Sequence, residues 1–195
     1  MNCLRLALLL SIALSMGITS KAQKDETKPL ATTNAPQAST TPVANPVSTF
    51  VKQQLARYNK NMVAAAEAMP AEKYSFKPTA EMNSFAHLTI HIAEGNNTLC
   101  SKISGTPAPS EKPTDEDPKD KLVAGLKSSF DFCTTALANV DDSKLSEPVV
   151  LFGSFSSSRA GALIALSMGF ADHYGAQAIY LRLNGILPPT AQPKK

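Results

Sequence analysis

Apolar residues recur at helical spacing in four separate stretches of this chain, and alternate at strand spacing in almost none. In the first, Val51, Leu55, Tyr58, Met62, Ala65 and Met69 follow one another at steps of three and four. That lays one stripe along a helix over about 48–68, with Ser48 as its expected cap and Pro70 as its stop. Phe85, Leu88, Ile92 and Leu99 predict a second helix over about 84–103. Leu122, Leu126, Phe130, Cys133, Leu137 and Val140 predict a third, opened by Asp117 as cap and Pro118 at the first helical position. The fourth runs over about 159–184 and sets Leu163, Leu166, Phe170, His173, Gln177 and Tyr180 on one face. Gly185 stands where a left-handed cap is needed, and Pro188-Pro189 prevents continuation.

The connections are long. The first, 70–78, carries Tyr74 and Phe76, which are expected to fold back onto the core. The loop 104–118 holds four prolines and many charges and is expected to be solvated. The segment 141–157 contains the apolar run Val149-Val150-Leu151-Phe152, an extended stretch with no strong pairing partner in the chain. The serines from Ser154 to Ser158 lack a Gly-x-Ser-x-Gly context and read as loop and helix cap, not as a nucleophile. Four amphipathic helices of this length with two long connections describe an all-α bundle over 48–190. Residues 23–47 are rich in Thr, Pro and Ala and nearly lack large apolar side chains, so they predict a disordered linker; 191–195 form a short tail.

The N-terminus changes the setting. A basic start through Arg5, an apolar run from Leu6 to Ile18 and Ser20-Lys21-Ala22 have the layout of a secretory signal peptide, 1–22. The apolar run is shorter than the ~20 residues that span a bilayer, so no stable membrane anchor is expected after cleavage. The protein is therefore expected to be exported, periplasmic or extracellular. Removing 1–22 takes away Arg5 and Lys21 and no acids, leaving 17 basic and 16 acidic residues. A net charge near +1 argues against nucleic acid as a partner. Export also bears on the cysteines. Cys100 and Cys133 remain as an even pair in an oxidising compartment, a disulfide candidate, with two buried free thiols as the alternative.

The candidate chemistry lies in three histidines. His87 and His91 are one turn apart on the second helix, and His173 lies on the inward face of the fourth. Facing helices of a bundle build metal sites in this way, although a single inward histidine is as often a hydrogen-bonded core residue. Gly175 would let the second helix approach closely. Asn96-Asn97-Thr98 matches a glycosylation sequon placed on a helix.

The segment from Met69 to Pro78, and the run Asp172-His173-Tyr174-Gly175 onward to Pro189, resemble the DinB-like (YfiT/DinB) family of four-helix bundles. The resemblance covers most of 48–190. It implies a divalent-metal site of three histidines: one from the second helix, matched by His91, and two from the fourth, four residues apart. His173 matches the second of those two. Gly169 stands where the first should be, and glycine offers no ligand. His87 is the expected substitute, with Glu94 or Asp172 as carboxylate alternatives. The resemblance also implies metal-dependent thiol transfer or isomerisation with zinc, nickel or manganese, and permits a homodimer. The sequence thus supports two readings: an exported domain with a reduced metal site at His91, His173 and His87, and a non-catalytic, disulfide-stapled bundle that binds a ligand or partner. Between the two, whether the protein is an enzyme is left open.

Overall fold

The computed structural model describes residues 41–193, and the folded unit begins at Pro42. The expected signal peptide and most of the expected linker lie outside the described residues. Four helices follow: α1 Pro46–Ala68, α2 Phe85–Ser104, α3 Lys119–Leu137 and α4 Arg159–Leu183. α2 packs on α3 and α4, and α1 packs on the same two helices. The bundle is therefore a square in which α1 lies diagonal to α2, and α3 diagonal to α4. Each diagonal step requires a long connection, which is why 69–84 and 138–158 are crossovers.

The first crossover is pinned at both ends. The Tyr74 hydroxyl donates to Ala66 O at 2.7 Å, and its ring meets Phe85 edge-on at 5.2 Å. Phe76 stands edge-on to Tyr180 at 6.2 Å, and the Tyr180 hydroxyl donates to Asn83 O at 2.7 Å. Both aromatics fold back as the sequence predicts. Tyr58 stacks on Phe170 and Phe130 stacks on Phe170, each at 5.8 Å, so α1, α3 and α4 meet at one aromatic column.

Helix ends follow local chemistry at Ser84, Ser158 and Gly185. The Ser84 Oγ accepts the His87 N–H at 2.9 Å and caps α2. At the end of α4, Ile186 N–H bonds Leu181 O and Gly185 N–H bonds Arg182 O, each at 3.0 Å, with Gly185 at φ 74°. This is the paired closure that needs a left-handed residue. Elsewhere the structure corrects the sequence reading. α1 starts at Pro46, not at a Ser48 cap. Its first N–H groups are bonded by a distant side chain: Asp142 accepts from Val47 and Ser48 at 2.9 and 2.8 Å. α3 starts one residue later than expected, because Pro118 has extended ψ (148°) and stays outside the helix.

A second correction concerns strands. Pro148–Val150 (β1) and Ser156–Ser158 (β2) form a short antiparallel hairpin, with Val149 opposite Ser157. The partner of the apolar run is the serine cluster. Backbone ladders need no particular side chain, so this pairing has no periodic signature. Ser158 also caps α4, accepting the Gly161 N–H at 3.1 Å. The 3₁₀ turn Pro189–Ala191 closes the fold where the tail was expected to begin.

Cys100 and Cys133 are joined by a disulfide, their Cα atoms 5.2 Å apart and both residues fully buried. The bridge staples α2 to α3 across 33 residues of sequence. No helix among the described residues is long and apolar enough to cross a membrane.

Candidate functional site

His91 on α2 and His173 on α4 face each other across the groove where these neighbouring helices part. Their ring centres are 5.0 Å apart and the rings stand edge-on at 86°. The expectation of an interior site is corrected here. His91 is exposed, and only His173 is largely covered, its side chain 24% exposed. Position 91 adjoins Ile92 on the buried stripe of α2 and so falls at its edge. The groove encloses about 540 Å³. Besides the histidines, Glu94, Leu99, Phe152, Ala165 and Gly169 line it.

Burial holds the His173 imidazole below its ordinary pKa, and the neighbouring His91 ring lowers it further; Asp172 acts weakly in the opposite direction. The Asp172 carboxylate is 4.0 Å from His173 Nε2 but almost wholly solvent-exposed. His173 is therefore kept neutral, with a ring lone pair available to a ligand or ion. Gly169 sits one turn earlier. A Cβ there would lie 3.7 Å from both Cε1 and Nδ1 of His173. A side chain at this position would reach the ring face, and none is present.

His87 does not join the pair. Its ring Nδ1 lies 3.2 Å from Asp115 Oδ1, while Ser84 Oγ donates to the other oxygen of Asp115 at 2.8 Å. The loop after α2 carries Asp115 back over the start of that helix and holds the His87 ring there. Glu94 does reach the groove, and Asp172 points into solvent.

The fit to a metal ion can be tested on this geometry. Two imidazoles that share a zinc at about 2.0–2.1 Å, with a near-tetrahedral angle, have ring centres roughly 5 Å apart. The His91–His173 spacing meets that condition. The number of ligands falls short, since among the described residues no group of three His, Cys, Asp or Glu side chains is placed to hold an ion. The spacing of the two rings is compatible with two ligands, and Gly169 offers no third.

Sequence reasoning missed Phe152. It enters the groove from the hairpin, and its only signal was the apolar run beginning at Val149. Gly175 does not bring α2 close, because a Cβ there would meet nothing within 4 Å. The sequon residue Asn96 is buried and donates to Ser129 Oγ at 3.1 Å, so its amide is closed to modification in the folded chain. A cleft of about 600 Å³ lies between α2, α3 and the 104–118 loop. It is lined by charges of both signs, including Glu111, Lys112 and Lys121, and by no histidine or cysteine.

A family model described as the DinB superfamily matches residues 54–178. The chain belongs to the DinB superfamily. Its fold is shared by a DinB-like protein of Bacillus subtilis (TM-score 0.60, 19% identity), with 74% of this chain and 99% of that one covered. A DinB-like protein of Bacillus cereus is similar at TM-score 0.60 and 15% identity, covering 71% of this chain and 93% of that chain. The mycothiol-dependent maleylpyruvate isomerase is similar at TM-score 0.54 and 13% identity, covering 66% of this chain and 59% of the isomerase. At these identities the likeness is one of fold. No curated protein matches the sequence. Within the superfamily, this chain has the bundle and two histidines facing each other across a shallow groove, with glycine beside His173.

Proposed function

We propose that this DinB-superfamily chain is an exported protein that holds a divalent cation between His91 and His173 and leaves its remaining coordination positions to water or a bound ligand. The observation that carries this reading is the pair itself: two imidazoles from different helices, 5.0 Å apart, one of them held neutral by burial. Zinc, nickel and manganese suit such a site, zinc and nickel best, since imidazole is a ligand of late transition metals. A cation held there would supply a Lewis acid that lowers the pKa of a bound water or thiol. The chain's own residues would do the rest. Leu99, Phe152 and Ala165 give the groove an apolar lining beside the histidines. Glu94 places a carboxylate at the rim, within the groove lining, where it can take up a proton. Gly169 leaves room beside His173 for the donor atom of a ligand.

The likeness to the mycothiol-dependent isomerase supports a soft donor such as a thiol as that ligand. The Cys100–Cys133 disulfide supports export, since such bonds persist in oxidising compartments. Metal analysis of the purified chain, with thermal shifts on adding zinc, nickel or manganese, tests the proposal. Binding near one ion per chain is expected, and His173→Ala should abolish it. A chain that contains no metal and shows no shift would end this reading.

A second reading is favoured by the missing third ligand: a metal-free bundle that binds an apolar ligand in the same groove. It predicts ligand binding that chelators do not affect.

A further inference from the structure

The cleft of about 600 Å³ between α2, α3 and the 104–118 loop has fixed walls. Its floor is a seam of small residues, Ala93 on α2 and Ala124, Gly125 and Ser128 on α3. The α3 members share one side of that helix with Lys121, at steps of three, one and three. The two helices are locked together beside it by the Cys100–Cys133 bridge and by Asn96, which donates to Ser129 Oγ at 3.1 Å. The loop is held as well. Just beyond Pro113, the Thr114 N–H bonds Asp117 Oδ2 at 2.9 Å, and Asp115 accepts from Ser84 at 2.8 Å. Walls that are ordered before a ligand arrives reduce the cost of binding it.

Three observations point to an occupant from outside the chain. Glycine weakens a helix interior, yet a Cβ at Gly125 would meet nothing within 4 Å, so no residue of the chain uses that room. Asn97 lines the cleft, and its Oδ1 is buried with no hydrogen-bond partner among the described residues. A buried polar atom of this kind is costly until something bonds it. The charges at the rim are also unmatched. Lys121 pairs with Asp117 at 2.8 Å, but Glu94, Glu111 and Lys112 form no ion pair among the described residues.

We infer that this cleft binds a small zwitterion, an amino acid or short peptide, with its carboxylate at Lys112, its amine at Glu94 and Glu111, and its stem along the small-residue floor. A plain anion would face two acids, and a plain cation would face two lysines. A molecule charged at both ends satisfies each rim group. A small turn of the Asn97 amide presents its free acceptor to an N–H of the ligand. The volume is that of a small-molecule site. Glu94 lines the histidine groove too, but Lys112, Asn97 and Gly125 do not, so the inference does not rest on a cation there.

Titration calorimetry of the purified chain with the dipeptide Ala-Lys tests it, since that probe carries two amines and one carboxylate. EDTA is present throughout, so that the probe cannot act through a cation at the histidine pair. Saturable binding at one site per chain is expected. Acetylating the amino end of the probe, or amidating its carboxylate, should each weaken binding at least tenfold. Lys112→Glu should do the same, and in that variant the amidated probe should bind no worse than the free acid. Gly125→Leu should fill the hollow and remove binding while keeping the helical circular dichroism. Lys60→Glu, on α1, should bind as the wild type does. Free lysine binding as tightly as the dipeptide assigns the site to a single amino acid, and tighter dipeptide binding assigns it to a peptide; both sustain the inference. No saturable heat from either probe, indifference to both end blocks, or binding that survives Lys112→Glu and Gly125→Leu would overturn it.

Discussion

Gly169 stands directly beside His173: a Cβ at residue 169 would begin 3.7 Å from the Nδ1 and Cε1 atoms of that imidazole. The gap is the feature that distinguishes this groove from a full three-histidine set, and it can be filled. Gly169→His should raise affinity for zinc by at least about tenfold, because a third protein ligand completes the usual catalytic set. Competitive titration against a chelating dye measures this. Affinity unchanged from the wild type would mean that the His91–His173 pair is not an ion site.

Asp142 joins the second crossover to the start of α1, and this makes the helix sensitive to acid. Burial alone would push the Asp142 carboxyl up, but hydrogen bonds from the Ser48 and Val47 N–H groups outweigh it, and the net shift is downward. A carboxyl whose pKa is lowered in the fold stabilises it above its unfolded pKa of about 3.9, and that stabilisation is lost as pH falls through the lowered value. Asp142→Asn should therefore destabilise the chain at neutral pH and flatten the acid limb of the stability curve. Urea midpoints at pH 7 and pH 3 give both readings. A variant that loses as much stability at pH 3 as at pH 7 would contradict the assignment.

The Cys100–Cys133 bridge closes a loop of 33 residues between α2 and α3. On the chain-entropy model, replacing both cysteines by alanine should cost about 3–4 kcal/mol. Chemical denaturation of the double variant checks the magnitude. Thiol titration of the unfolded chain checks the bond itself: two thiols beyond Cys3 should react only after reduction.

Gly125 lies in the middle of α3, and a Cβ there would meet nothing within 4 Å. With no packing reason for glycine, Gly125→Ala should stabilise the chain by about 0.5–1 kcal/mol through helix propensity. A rise in the urea midpoint at unchanged slope is the expected result. A fall would show that position 125 serves something other than the helix.

Much of the bundle was legible in the chain. Stripes such as Val51–Leu55–Tyr58–Met62 depend on residues three and four apart, and such neighbours meet whatever the rest of the chain does. The Ser158 cap and the Gly185 closure are equally local. The site was half legible. His91 and His173 could be chosen from their helices, and Gly169 could be marked as the gap. His87 could not be placed, because its position depends on Asp115, 28 residues away on a solvated loop. Phe152 could not be tied to the groove, because the hairpin that carries it pairs an apolar run with serines.

From residue order alone follow the four rods, their inward stripes, two of their ends and an even pair of cysteines, because each rests on hydrogen bonding or periodicity within a few residues. The diagonal arrangement of the helices, the Asp142 cap, the β1–β2 pairing, the shallow setting of the two histidines and the cleft beside the 104–118 loop arise only once the helices stack. Each depends on which surfaces meet across tens of residues of intervening chain, and no local pattern encodes that choice.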